Sequence, residues 1–252
     1  MTRFEIVAHR GIHSEAPENT IAAFQRALDL GADAVEMDIR LTADHIPVVY
    51  HYYYLQVVTN SIGAIFDYSL EQLRGVEVIC PQKPDAPAGR IPALAEILDL
   101  FGGKIGLELE IKGPEPEAPE IIGKMLNQYK PIWPTVEVTS FEPALLQAVN
   151  AVCPGLAVNL LLEKSEAWEQ PDVVAYQAVH RGRLAGARAV HLHTTQLTES
   201  VVAGLRRAGM EVHAWDVNDE KALEQAARLG IPRICTDRFK MAHACREAIF
   251  KR

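Results

Sequence analysis

"VEMDIRLTADHIPVVYH" (residues 35–51) reads as two short strands around a turn, and the first strand has an unusual second phase. Val35, Met37 and Ile39 are apolar, and the apolar run resumes at Ile46, Val48 and Val49. Successive side chains alternate across a strand, so Glu36 and Asp38 share the opposite face. The connection Thr42–His45 is too short for a crossover between parallel strands, so the second strand returns antiparallel. With Asp44 and His45 at the tip, Asp38 faces His51.

Short segments rich in valine and isoleucine recur outward from this hairpin, at Phe4–Ala8, Ala34–Ile39, Ile105–Ile111, Val136–Phe141, Leu156–Leu162, Ala189–His193, Glu211–Val217 and Arg233–Thr236. Stretches of helical period lie between them. Ile21, Phe24 and Leu28 mark the first, and Ala93–Phe101, Glu117–Tyr129, Pro143–Ala151, Trp168–Arg181, Ser200–Arg207, Glu220–Leu229 and Met241–Phe250 follow. Strand followed by helix, repeated along the chain, implies parallel strands joined by crossovers. A chain of 252 residues suits a (β/α)8 TIM barrel, which takes about 250 residues, better than its rival, an open doubly wound sheet. The expected fold is therefore α/β, a single barrel domain over residues 1–252. The hairpin and an excursion over about 52–92 sit at the C-terminal mouth, and the Pro/Gly-rich "CPQKPDAPAGRIP" (80–92) belongs to that wall of the site. The last segment, Met241–Phe250, is amphipathic enough to be an outer helix or an oligomer contact.

Composition narrows the partners. The chain is 48% hydrophobic and 23% charged, with a net charge of −8 and no basic stripe to answer a nucleic acid or an anionic membrane. An anionic small molecule would have to be captured by a few local cations. Cys80, Cys153, Cys235 and Cys245 form no C-x-x-C pair and read as small apolar fillers. "MTRFEIVAHR" has too short an apolar run for a signal peptide, and no segment approaches the ~18 apolar residues of a membrane span. The chain reads as a reduced cytoplasmic protein.

The hairpin places Glu36, Asp38 and His51 at the end of the barrel where such folds build active sites. Two carboxylates side by side cannot both be ionised, buried and unpaired. Solvent or a basic residue could balance them, but a hard divalent ion, Mg²⁺ or Ca²⁺, fits oxygen ligands best. "GLELEIKG" (106–113) adds Glu108, Glu110 and Lys112 on one strand face. The first strand ends at His9-Arg10-Gly11, where Gly11 permits a turn awkward for other residues. Asn19 or Thr20 caps the helix that follows. A lone histidine at a strand end is more often structural; His9 and His51 flanking a metal favour function. His13, His45, His180 and His243 read as solvated or loop residues, while His191, His193 and His213 lie in strands and one could point into the mouth.

With these residues the sequence resembles the glycerophosphodiester phosphodiesterase family over nearly its whole length. The resemblance rests on His9–Gly11, Pro17–Thr20, Glu36 with Asp38, Thr42, His51, "RIPALAEIL" (90–98), Glu110 with Lys112, Ser140-Phe141, Trp215 with Asn218, and Thr236-Asp237. It implies a barrel, a divalent metal (Mg²⁺ or Ca²⁺, with Mn²⁺ admissible), and hydrolysis of glycerophosphodiesters to glycerol 3-phosphate and an alcohol. Carried over, Glu36, Asp38 and Glu110 hold the metal, with Glu108 as an outer carboxylate where the family often has asparagine. His9 and His51 form the acid–base pair, Arg10 and Lys112 neutralise phosphate oxygens, and Trp215 walls the glycerol. The partner is a small phosphodiester.

Four positions depart from the family's pattern. Tyr52 follows His51 where aspartate is usual, Val57 replaces an arginine, Asp216 replaces a threonine, and Phe239 replaces a proline. Tyr52 and Val57 make that wall more aromatic and less charged, which implies an altered head-group preference. Lysophospholipid-like diesters, a non-hydrolytic phosphate-binding protein and a Mg²⁺-dependent isomerase or lyase are the competing readings; the last leaves the paired histidines and the hairpin unexplained.

Overall fold

The computed structural model describes residues 3–250. Its strands are β1 (Glu5–Ala8), β2 (Ala34–Leu41), β3 (Pro47–Val49), β4 (Gly106–Ile111), β5 (Val136–Ser140), β6 (Ala157–Leu161), β7 (Ala189–His193), β8 (Glu211–Trp215) and β9 (Arg233–Thr236). Its helices are α1 (Ile21–Asp29), α2 (Leu70–Leu73), α3 (Leu94–Phe101), α4 (Ala118–Leu126), α5 (Pro143–Val152), α6 (Pro171–Ala185), α7 (Glu199–Arg207), α8 (Glu220–Arg228) and α9 (Phe239–Phe250). All the strands except β3 run parallel, each beside the next. The ring closes where β1 pairs with β9 (Glu5↔Arg233 to Ala8↔Thr236) and with β2 (Val7↔Ala34). This is a TIM barrel.

The alternation within each strand decides what lies on either side of the barrel wall. In β4, Leu107, Leu109 and Ile111 face outward and pack with Phe24, Leu94, Ile97 and Leu146 in the layer between strands and helices. Burying each such side chain stabilises the fold by about 1.5–3 kcal/mol. The opposite phase is polar: Glu36, Asp38, Glu108, Glu110, Glu137, Thr139, Asn159, His191 and His213 are all buried. Val7, Ala34 and Cys235 supply a small apolar patch among them. A barrel interior is commonly filled by branched apolar residues; here it is lined for chemistry and hydrogen bonding.

The expected strands and helices are found with small shifts at their ends. The helix expected over Glu117–Tyr129 stops at Leu126 and passes into 3₁₀ turns (Asn127–Thr135) that carry Pro131 and Pro134. The helix expected from Trp168 starts at Pro171, whose fixed φ suits a first turn, and it ends at Gly186 with φ +65°.

The hairpin register differs from the expectation by one residue. Ile39 pairs with Val49 and Leu41 with Pro47, so Asp38 lies opposite Tyr50, whose N–H donates to the Asp38 carbonyl (2.8 Å), and not opposite His51. The cause is a three-residue loop, Ala43–His45. His45 takes the left-handed conformation (φ +57°), and the Thr42 hydroxyl accepts from Ile46 N–H (2.9 Å). β3 then ends at Val49, and Arg40 Nε donates to the His51 carbonyl (2.8 Å), tying the departing chain to the mouth.

The excursion after the hairpin is compact. Its own small core gathers Val48, Tyr50, Leu55, Ile65, Leu73, Val78 and Ile91. Helix α2 closes its end through a capping box between Ser69 and Gln72. Among the described residues no helix is long and apolar enough to cross a membrane.

Leu109 is fully buried and Leu184, on α6, is 58% exposed. Leu109→Ala is expected to lower unfolding free energy by about 2–5 kcal/mol and Leu184→Ala by about 0.5 kcal/mol or less, measured by urea denaturation. Equal costs would contradict the assignment of the β4 outer face to the core.

Candidate active site

Five segments converge at the C-terminal mouth: the ends of β1, β2, β4 and β8, and the chain after β3. A cavity of about 200 Å³ there is lined by His9, Arg10, Glu36, His51, Glu110, Lys112 and Trp215, among others. The structure thus brings together seven of the eight residues singled out from the sequence. The eighth, Asp38, is fully buried just behind them.

The β1 end is shaped by its turn. Gly11 has φ +80°, and a Cβ there would stand 2.7 Å from the Ala23 backbone. Arg10 also has positive φ (+53°), unusual for a non-glycine residue and commonly a sign of a constrained functional site. In that conformation its N–H donates to Glu36 Oε2 (3.1 Å) and its guanidinium reaches Asp38 Oδ2 (3.2 Å) and Glu18 Oε1 (3.1 Å). Lys112 Nζ closes the other side, 2.8 Å from Glu110 Oε1 and 3.4 Å from Asp38 Oδ1.

The electrostatics follow from crowding. Glu36, Asp38 and Glu110 present oxygens that lie within 4.8 Å of one another, close enough to hold one ion. Burial and the charge of Asp38 raise Glu36 to about 8 and also raise Glu110. Burial would raise Asp38 as well, but Arg10, Lys112 and His51 hold it far below the usual carboxylate range. Even so, Glu36 Oε1 and Asp38 Oδ1 are buried without a hydrogen-bond partner.

The two histidines sit in different settings. His9 Nδ1 is 2.6 Å from Asp237 Oδ1, and its Nε2 is 3.8 Å from Glu36 Oε2. Burial alone would lower its pKa; the Asp237 hydrogen bond and the Glu36 charge override that and bring it to about 9. His51 has no such partner, and its Nδ1 is buried and unpaired. Burial lowers it to about 3 against the opposing pull of Asp38. One imidazole therefore favours the protonated form and the other the neutral form.

Several residues that matter here carried no assigned role in the sequence reading. Asp237 bridges His9 and His13 (2.9 Å to His13 Nε2) and accepts from Asn218 Nδ2 (2.8 Å). His13 lies in the loop after β1, as expected, but its side chain is 13% exposed and is held by Asp237 instead of by solvent. Thr20 caps α1, accepting from Ala23 N–H (3.3 Å), whereas Asn19 at φ +56° turns inward and donates to Asp38 Oδ2 (2.8 Å). "PENT" and "TD" were the visible signals, but a motif does not say which of its residues turns inward.

The departures are also placed. The Tyr52 ring packs edge-to-face on His51 (4.6 Å between centroids) and lies 5.9 Å from the Arg10 guanidinium. Val57 sits on a 3₁₀ turn, 49% exposed, and does not line the cavity, so it is not part of that wall. Asp216, in contrast, does line it. Trp215 stacks edge-on with Phe141 (5.6 Å) and His193 (5.1 Å), and its Nε1 is buried without a partner. Glu108 forms the floor, 3.4 Å from His191 Nδ1.

Known proteins are similar to this chain in sequence and in fold. A glycerophosphodiester phosphodiesterase from Caldanaerobacter subterraneus is 30% identical over 237 residues, covering 92% of this chain and 93% of the relative. A phosphodiesterase from Oleispira antarctica, solved in complex with the product sn-glycerol-3-phosphate, is 26% identical, with a TM-score of 0.82 and 96% of each chain covered. A glycerophosphodiester phosphodiesterase from Agrobacterium tumefaciens is 23% identical with a TM-score of 0.79, covering 96% of this chain and 99% of that one, a likeness of fold. The sequence profile of the Glycerophosphoryl diester phosphodiesterase family matches residues 9–241. On that match, and with the barrel and its mouth as described, the chain belongs to the glycerophosphoryl diester phosphodiesterase family.

Proposed function

We propose that this phosphodiesterase hydrolyses glycerophosphodiesters to glycerol 3-phosphate and an alcohol, with a divalent ion bound by Glu36, Asp38 and Glu110. The observation that carries the metal is that Glu36 Oε1 and Asp38 Oδ1 are buried without a hydrogen bond, Asp38 Oδ1 having only the Lys112 ammonium at 3.4 Å. Three carboxylates meet there with Arg10 and Lys112 as their cationic partners, and an all-oxygen donor set suits Mg²⁺ or Ca²⁺, with Mn²⁺ also admissible. Such an ion, when bound, offsets the negative charge that develops on a phosphoryl oxygen. The relative solved with sn-glycerol-3-phosphate supports a glycerol-bearing substrate.

The chain's own residues supply the remaining chemistry. Arg10 and Lys112 lie at the mouth where they neutralise phosphate oxygens. His51, neutral and unpaired at Nδ1, accepts a proton from the attacking oxygen, either water itself or a glycerol hydroxyl of the substrate, in which case water then opens the cyclic phosphate. His9, kept protonated by Asp237, delivers one to the leaving alkoxide oxygen through Nε2. Asp237 also fixes the His9 ring, since its hydrogen bond at Nδ1 leaves Nε2 as the working nitrogen. Trp215 offers an apolar wall to the glycerol. Four free cysteines support work in a reducing compartment, which we take to be the cytoplasm.

Glycerol 3-phosphate release from glycerophosphocholine, glycerophosphoethanolamine and glycerophosphoglycerol tests the reading. Release is expected to require added Mg²⁺ or Ca²⁺ and to fall by about 10²–10⁴-fold in His9→Ala. Release that survives metal removal, or an active His9→Ala, would overturn it. Asp237→Asn removes a partner that raises the His9 pKa, so His9 loses its proton at lower pH and the alkaline limb of kcat/KM against pH is expected to move down. An unmoved limb would rule out His9 as the acid. Tyr52→Asp is expected to change the relative rates among the three head groups; an unchanged profile and rate would show that Tyr52 does not set preference.

A further inference from the structure

One layer below the mouth, β5, β7 and β8 turn Glu137, His191 and His213 toward one another inside the barrel. A carboxylate oxygen of Glu137 and one ring nitrogen of each histidine lie within 4.8 Å of one another. His191 Nε2 and His213 Nδ1 face each other at 2.9 Å. All three side chains are buried, and the proposed hydrolysis uses none of them.

Their surroundings are those of ligands. The remaining nitrogen of each imidazole faces a carboxylate, His191 Nδ1 at 3.4 Å from Glu108 Oε1 and His213 Nε2 at 3.7 Å from Glu211 Oε2. Metal-binding histidines characteristically present their other nitrogen to such a group. Glu137 Oε2 accepts from Asn159 Nδ2 (2.8 Å) and lies 2.7 Å from Arg233 Nη1, whereas Oε1 is buried with no hydrogen-bond partner. Glu137 is 6% exposed, and the buried Glu108 carboxyl stands within hydrogen-bond reach of it. A hydrogen bond between the imidazoles satisfies only the two rings, whereas one cation would engage both rings and Glu137.

The spacing and the donor types agree with one class of ion. Tetrahedral metal–nitrogen bonds of about 2.0–2.1 Å set two nitrogens about 3.3 Å apart, so the rings, now 2.9 Å apart, would part by a few tenths of an ångström to take the ion. Two imidazoles and a carboxylate suit a borderline transition ion, whereas Mg²⁺ and Ca²⁺ prefer oxygen alone. Burial lowers the His191 pKa, which keeps the ring in the neutral form that ligates. Access need not pass the mouth, because a hollow of about 620 Å³ at the opposite end of the barrel is lined by Glu137 itself, with Arg233, Gly106 and Glu5.

We propose that Glu137, His191 and His213 form a second metal site, for a transition ion of the Zn²⁺ kind, that clamps β5, β7 and β8 from inside the barrel. This site lies below the ion proposed at the mouth, with Glu108 as a neighbour of both, and it does not depend on the hydrolytic reading.

The test uses the full-length protein stripped of metal and titrated with Zn²⁺. The unsubstituted chain is expected to bind one equivalent more than His213→Asn. In the unsubstituted chain, the ring-nitrogen resonances of His191 and His213 are expected to shift as that equivalent binds. Equal zinc content in the two proteins, or ring resonances that stay in place at zinc saturation, would overturn the proposal. Should His213→Asn fail to fold, the resonances of the unsubstituted chain decide the matter alone.

Discussion

Glu36, Asp38 and Glu110 crowd together at one end of the barrel, and much of the mouth is arranged to answer three neighbouring carboxylates. Arg10 accepts a left-handed backbone to serve the cluster with both its N–H and its guanidinium. Asn19 takes a left-handed conformation to reach Asp38. Lys112 lies between two of the carboxylates. Each contact lowers the cost of a buried charge, yet Glu36 Oε1 is still without a hydrogen-bond partner.

The barrel tolerates this because its two faces are decoupled. The outward phase of the strands, with residues such as Leu107, Leu109, Val138 and Leu160, carries the hydrophobic stabilisation against the helices. The inward phase is thereby released from packing and holds glutamates, histidines and asparagine instead. Hydrogen bonds such as Asn159 to Glu137 replace the apolar layers found in other barrels. The alternation that made "GLELEIKG" conspicuous is this division of labour seen in one strand.

That division explains what the sequence disclosed. Period-2 and period-3.6 patterns located the strands and helices to within a few residues, because burial of one face is a local constraint that every element repeats. Glu36, Asp38 and Glu110 were conspicuous because carboxylates do not belong in apolar runs. The hairpin register was misread by one residue, since a three-residue loop depends on His45 adopting a positive φ that its side chain does not advertise. Asp237 and Asn19 went without roles for a different reason. Their partners, His9 and Asp38, are 228 and 19 residues distant, and only closure of the fold sets them together. His13 was misjudged on the same ground. Tyr52 and Val57 looked alike as departures, yet one packs on His51 and the other stands on the excursion surface.

Ring closure also has a consequence in time. The seam of the barrel joins the first strand to the last, and His9 and Asp237 meet across it. Helix α9 then seals the seam from outside, where the buried Arg246 binds the Phe4 carbonyl (3.1 Å) and the Asp33 carboxylate. A ribosome making this chain therefore exposes β1 long before its β9 neighbour exists, and contacts of such sequence separation form late. The first strand must wait, its edge covered on one side by β2 alone, until the last segment emerges. The contact of His9 with Asp237 is in effect a reading of completeness: a chain cut short before Asp237 has Glu36, Asp38 and Glu110 and yet lacks the group that sets its first histidine.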